Sequence, residues 1–168
     1  MTEQPPIGLA QWRALTAEIA QKYGLDFNTI LAQIWTESEG NATAYRYEKG
    51  YIYFYLVDVG PLYDRHLTVE QNRQKALVAL GQEEFDFQSA SHGLLQPLGA
   101  VAREFGLRGD WRQIYQPEVN LALGCAYLKW CLKRTDGNYK QALVKYNGSG
   151  RYSDLVLRRK VILESQSL

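Results

Sequence analysis

No run of 18 apolar residues occurs in this 168-residue chain, so none of it reads as a membrane-spanning helix and no stable membrane insertion is expected. Met1 to Ala10, MTEQPPIGLA, lacks a basic run followed by an apolar run, so no secretory signal is read there. Synthesis in the cytoplasm, with any export left to something else, is the expectation. Neither charge is in excess. With 19 Lys and Arg against 18 Asp and Glu, the formal net charge is +1, which leaves no basic stripe for neutralising phosphates and excludes nucleic acid as a partner. Cysteine is scarce: Cys125 and Cys131 fall on one expected helix, where their Cα atoms would stand roughly 9 Å apart, too far for a disulfide. A Cys-x5-Cys spacing without nearby His is also a poor metal site, so both are expected as buried thiols. The two histidines, His66 and His92, have no partner pattern for a triad or a metal and are expected in surface or capping roles. Internal repeats, low-complexity blocks and linkers are absent as well.

What is present suffices for one compact globule: 46% of residues are hydrophobic and 12% aromatic. Leu9, Trp12, Leu15, Ile19 and Tyr23 recur at helical spacing and predict a helix over 9–23 stopped by Gly24. Asp26 caps a second, in which Phe27, Ile30, Leu31, Ile34 and Trp35 form one apolar face, with its end marked by Gly40. From Tyr45 to about Leu67 the pattern turns Tyr-rich and partly alternating, which predicts an extended or β-hairpin insertion. Thr68 and Gln71 make a capping box for a helix through Leu80, and the polar stretch GQEEFDFQSASHG follows. Pro97 suits the first turn of a helix ending near Phe105, and Pro117 that of a longer one reaching Arg134. After an Asp136-Gly137 turn come a short helix over 139–146, the loop 147–150, and a last helix capped by Ser153 and ending near Glu164. The reading is a mainly α fold in a single domain over 1–168.

Glu37 lies in the last turn of the second helix. On a wheel of about 100° per residue with Phe27 at zero it falls near 280°, beside Ile30 at the margin of the apolar face. A carboxyl there is half buried and close to the negative end of the helix dipole. Both effects disfavour its charge and raise its pKa, as a general acid working at neutral pH requires. On position alone a margin glutamate is more often a solvated helix residue.

Four ordered segments add a second line of reasoning. Glu37-Ser38 is followed by Gly93-Leu94-Leu95-Gln96, preceded by Ser89-Ala90-Ser91-His92; then come Asn120-Leu121-Ala122-Leu123-Gly124 and Ala142-Leu143-Val144-Lys145-Tyr146-Asn147-Gly148. Together they resemble the lytic transglycosylase domain of the lysozyme superfamily, whose pattern is Glu-Ser, Gly-Leu-Met-Gln, Asn-x-x-x-Gly and Ala-Tyr-Asn-x-Gly. The resemblance covers about residues 25–150. Leu95 stands where Met is usual and Lys145 where Ala is usual. The separation of Glu37 from Gly93 is long, which reshapes the substrate groove. Tyr45-Arg46-Tyr47-Glu48 is similar to a segment of phage and prophage members, which implies a cell-wall lysin released by a holin or carried in the virion.

The resemblance implies a lysozyme-like fold and cleavage of peptidoglycan between N-acetylmuramic acid and N-acetylglucosamine. Glu37 would first protonate the bridging oxygen and then act as base on the muramic C6 hydroxyl, leaving a 1,6-anhydro end. Neither a metal nor a cofactor is implied, nor a second carboxylate, unlike most glycosidases. Tyr146 is expected to hydrogen-bond the catalytic carboxyl, Asn147 to fix the loop or a sugar, and Gln96 to bind an acetamido group. Ser38, Ser91 and Tyr47 are supporting or substrate-binding candidates. Glu48 carries the alternative: a carboxylate across the cleft at a distance admitting water would permit hydrolysis, as in a lysozyme, with Asp58 and Asp64 as weaker candidates. Otherwise Glu48 pairs with Arg46 or Lys49. Tyr51, Tyr53, Phe54 and Tyr55 either line a glycan groove or pack on themselves. A monomer acting on glycan strands is expected; a noncatalytic glycan-binding virion module is the remaining alternative.

Overall fold

A computed structural model describes residues 3–166. After a 3-10 segment Ile7–Trp12, the α-helices are α1 Arg13–Tyr23, α2 Phe27–Ser38, α3 Val69–Leu80, α4 Gln82–Gln88, α5 Gly99–Glu104, α6 Pro117–Lys133, α7 Tyr139–Asn147 and α8 Gly150–Ser165. The strands are short: β1 Tyr45–Tyr47, β2 Tyr55–Leu56, β3 Gly60–Pro61 and β4 Ala90–His92. The expectation of a mainly α fold with a small extended portion holds.

Local chemistry accounts for most boundaries. Gly24 ends α1 in the left-handed conformation, its N–H reaching the carbonyls of Ala20 and Gln21. Asp26 caps α2 through Thr29 N–H at 2.7 Å, and Thr68 with Gln71 forms the reciprocal capping box of α3. Pro117 opens α6 at its first position.

Five expectations need correction. The helix expected from Leu9 begins as a 3-10 segment, entered from Pro6 with no side-chain cap, and becomes α-helical only at Arg13. The polar stretch after α3 contains α4, which buries Phe85 and Phe87; two rings at i and i+2 show no helical period. Pro97 lies ahead of α5, whose N-cap is Leu98, and its carbonyl accepts from His92 N–H at 3.2 Å in an extended connection. Ser153 is not a cap, because α8 starts at Gly150; its hydroxyl donates back to the Gly150 carbonyl at 2.8 Å. His92 is buried, not superficial. Its Nε2 faces the Phe87 carbonyl, which can only accept, so Nε2 carries the proton and Nδ1 accepts from the Tyr115 hydroxyl.

The segment 45–67 is also less self-contained than an insertion would be. β2 and β3 form a hairpin with Leu56 opposite Gly60, but β1 pairs antiparallel with the distant β4, Tyr45 opposite His92. The Tyr45–Glu48 edge is thereby fixed to the body of the fold.

The main core gathers on α2, along which α8 lies, with Ile30, Leu31, Ile34 and Trp35 meeting Leu121, Leu128, Leu143 and Val156. Cys125 and Cys131 are free thiols inside it, as expected, and burial pushes the Cys125 thiol up to about 12. Smaller clusters form around Phe87 and Ile114, and around Phe54, which stacks on Phe85 at 4.8 Å between centroids.

Residues 93–96 form a buried irregular loop whose backbone must find partners outside any ladder. Ser38 Oγ donates to the Leu94 carbonyl at 2.9 Å, and the Tyr146 hydroxyl donates to the Leu95 carbonyl at 2.9 Å. Asn120 Oδ1 accepts from Leu95 N–H at 2.9 Å while its Nδ2 donates to the carbonyls of His92 and Ile114. One turn along α6, Gly124 makes room for the loop: a Cβ there would stand 2.5 Å from Leu95 Cδ1. Gly93, at φ +71°, leaves room for Asn120 itself, whose Nδ2 a Cβ would meet at 2.4 Å. The Asn-x-x-x-Gly motif is therefore one helix face shaped to hold this loop. Asn120→Ala leaves three buried backbone groups without partners and is expected to cost about 2–4 kcal/mol in urea unfolding. A loss below about 0.5 kcal/mol would show that the loop holds without Asn120.

Candidate active site

Helix α2 ends over a cleft of about 170 Å³ into which Glu37 faces. The α2 helix stops because Glu39 turns left-handed at φ +54°, followed by Gly40 at φ +87°. Arg46, Glu48 and Tyr51 come from β1 and the chain after it, Ser91 from β4, and Gln96 from the clamped loop. Tyr127 of α6 with Tyr146 and Asn147 of α7 line it from the helical side, and Pro97, Leu98 and Val101 add an apolar part.

The Glu37 carboxyl is poorly hydrated, and desolvation raises its pKa to about 7. The nearby Tyr152 hydroxyl, the Arg46 guanidinium and the Asn147 side chain oppose that rise, while the Glu48 charge adds to it. A carboxylic acid whose proton is exchangeable near neutrality is the result.

Glu48 stands on the same cleft, where its Oε1 accepts from Arg46 Nε at 2.7 Å and from Ser91 Oγ at 3.0 Å. Buried Ser91 is thus occupied with Glu48. Gln96 is buried too and held at φ +48°, an uncommon conformation for a side chain beyond glycine. Its Nε2 donates to the carbonyls of Gly93 and Ala44 at 2.8 and 3.1 Å, which leaves Oε1 as the group available to the cleft.

Three expected placements differ. The Tyr146 hydroxyl is spent on the Leu95 carbonyl, and Tyr152 of α8 is the tyrosine near the Glu37 carboxyl that opposes the rise in its pKa. Ser38 turns its hydroxyl inward to Leu94, bracing the loop, and does not line the cleft. Tyr47 likewise lies outside the lining, its hydroxyl accepting from Arg73 Nη2 at 2.7 Å. The aromatic run divides: Tyr51 faces the cleft, Phe54 is fully buried, exposed Tyr53 packs on Tyr63, and Tyr55 belongs to β2. Asp58 and Asp64 line no part of the cleft, and Asp64 accepts from His66 N–H at 2.9 Å.

Sequence reasoning missed Tyr152, Gln33 and the cleft face of Tyr127. Gln33, one turn before Glu37, falls off the apolar face of α2 on the helical wheel, so periodicity gives no signal for its burial. Tyr127 reads as core at its helical spacing, and Tyr152 lies beyond the four motifs. Among the described residues no three His, Cys, Asp or Glu side chains come together in a way that could hold a metal ion.

A family model described as the transglycosylase SLT domain matches residues 14–159. No curated protein and no solved structure matches the chain.

The electrostatics predict a stability signature. Because the folded protein holds the Glu37 proton up to about pH 7 while the unfolded chain releases it near 4.5, the folded state binds more protons between those values and stability falls as pH rises through them. Glu37→Gln removes that penalty. It is expected to stabilise the fold by about 1–3 kcal/mol at pH 8 and by nothing below pH 4, read as the difference in thermal or urea unfolding at the two pH values. Equal effects at both would mean the carboxyl is hydrated.

Proposed function

Because this chain belongs to the transglycosylase SLT domain family and is a lytic transglycosylase acting on peptidoglycan, we propose that Glu37 cleaves the MurNAc-β-1,4-GlcNAc bond to leave a 1,6-anhydro end. The observation that carries this reading is a single carboxyl kept protonated near neutrality by its dry setting, at the wall of a cleft.

Glu37 gives its proton to the bridging oxygen, and the C1–O bond of the muramic residue breaks toward the departing N-acetylglucosamine. The neighbouring N-acetyl group stabilises the cation at C1. The Glu37 carboxylate then takes the proton of the muramic C6 hydroxyl, and O6 closes on C1. The proton that Glu37 lost is thereby regained, and no water is consumed. Gln96 Oε1 accepts from an acetamido N–H, the half of the amide left to it by its bonds to Gly93 and Ala44. The Tyr51 and Tyr127 rings offer flat surfaces to the sugar CH faces, and Asn147 holds both the acid and the bound glycan. Ser91 serves at one remove, by holding Glu48.

A hydrolytic muramidase is the second reading, favoured by the place of Glu48 on the same cleft. Two donors already occupy its Oε1, so that oxygen is not open to a water, which supports the anhydro reading. The Arg46-Tyr47-Glu48 run supports a phage or prophage setting: a single-domain, monomeric lysin reaching the wall through a holin, or a virion component.

Mass spectrometry of digested glycan strands is expected to find ends lighter by one water than reducing ends. Reducing ends would establish hydrolysis, and intact strands would leave only binding. Glu37→Gln is expected to retain glycan binding and lose turnover by at least about 1,000-fold; wild-type rates would remove Glu37 from the reaction. Since the acid form is the competent one, kcat/KM is expected to fall about tenfold per pH unit above roughly pH 7, and a profile flat to pH 9 would contradict the assignment.

A further inference from the structure

Strand register places three polar side chains on one face of the small β1–β4 ladder. Arg46 stands opposite Ser91, and side chains of directly opposed residues point the same way. Glu48 follows Arg46 by two residues, its N–H bound to the Ser89 carbonyl at 2.8 Å, so it shares that face. All three line the cleft, whereas Tyr45 and Tyr47 fall on the other face, against His92 and Arg73.

Glu48 Oε1 ties the group together by accepting from Ser91 Oγ at 3.0 Å and from Arg46 Nε at 2.7 Å. The guanidinium has five N–H donors, and this bond takes one of them, on its side edge. Among the described residues no hydrogen bond engages Nη1 or Nη2, and the Arg46 side chain is 54% exposed. The terminal fork, the pair of donors that meets a carboxylate bidentately, is therefore open while the Glu48 bond restrains the group that carries it.

Charge is the second observation. Of the residues lining the cleft, Arg46 is the only cation; the others are two carboxyls, neutral polar groups, aromatic rings and apolar side chains. A strand of neutral amino sugars gives such a fork nothing charged to hold. Muramic acid differs from glucosamine by a 3-O-lactyl branch, which ends in a carboxylate when bare and bears a peptide with carboxylates of its own when substituted. We propose that Arg46 determines specificity for muramyl strands, its Nη1 and Nη2 pairing with a carboxylate carried on the lactyl branch. The inference rests on the reading that the cleft takes peptidoglycan strands.

The test is calorimetric, with full-length Glu37→Gln as the non-cleaving background and Arg46→Gln or Arg46→Lys added to it. The ligands are soluble glycan strands bearing their peptides, the same strands stripped by an amidase so that the lactyl carboxylate is free, both kinds with every carboxyl capped as a methylamide, and a chitin oligosaccharide. Arg46→Gln is expected to weaken binding of uncapped strands by about 10- to 50-fold and to leave capped strands and chitin within about twofold. Arg46→Lys keeps the charge without the fork and is expected to restore only a minor part of the loss. A loss confined to peptide-bearing strands would place the carboxylate on the peptide, and one confined to stripped strands would place it on the lactyl group; both support the pairing. Equal losses on capped and uncapped strands would show that Arg46 acts only on the groups of the cleft, and no loss on any strand that its fork stays empty; each overturns the proposal. Wild-type protein that leaves strands uncut would end the proposed cleavage while carboxylate-dependent binding stands. Binding indifferent to Arg46 would end this inference while cleavage stands, so the two failures are distinguishable.

Discussion

The backbone of residues 93–96 cannot satisfy its own hydrogen-bonding groups, and most of the architecture around the cleft answers that need. The loop is buried, with Leu94 and Leu95 almost wholly removed from solvent, yet it belongs to neither helix nor ladder. Ser38 from α2, Asn120 from α6, Tyr146 from α7 and the Gln96 side chain each reach one of its carbonyls or N–H groups, or those flanking it. Three side chains from separate stretches of sequence, with the loop's own Gln96, thus converge on one short backbone. Their separation in sequence is what the loop requires, because no single helix can present donors on all sides of it. The same bonds fix Gln96 at the cleft wall and tie the end of α2, with Glu37, to the opposite face.

This arrangement explains which parts of the molecule were legible beforehand. The helices of the body, the Asp26 cap, the Thr68 capping box and the Pro117 start are local chemistry and can be read residue by residue. So could the margin position of Glu37, since it follows from helical periodicity alone. The roles inside the motifs were less accessible. Tyr146 and Ser38 look like site residues because they accompany one, but their hydroxyls turn to backbone carbonyls. Which of two tyrosines on consecutive helices meets the carboxyl depends on how α8 lies along α2, a tertiary fact with no local signature. The pairing of β1 with β4 is likewise nonlocal, across more than forty residues that themselves hold a hairpin and two helices. α4 escaped because it is one short segment whose buried rings do not repeat at helical spacing.

A cleft residue that must both give and take a proton is subject to opposing demands. Burial alone would lift the Glu37 pKa so far that the carboxylate, once formed, would be costly in the cleft. Charge partners alone would hold it ionised, with no proton to give. The protein sets desolvation first among the causes and counters it with neutral donors, Tyr152 and Asn147, and with Arg46 at a distance. Neutral donors suit this purpose because they stabilise the charge when it forms without neutralising it beforehand.

The same logic separates the two carboxylates of the cleft. Glu48 meets a guanidinium and a hydroxyl on Oε1, so the electron pairs of that oxygen are already directed at donors. Among the described residues Glu37 has no ion pair at hydrogen-bonding distance, and burial is the largest influence on its carboxyl. Two groups of identical chemistry are thereby given different work: one holds its proton near neutrality, the other helps to set the field in which that proton moves. A base acting on water through Glu48 Oε1 would have to shed both donors first. An internal hydroxyl carried by the sugar needs no such rearrangement, because the base it meets is the acid that has just released its proton.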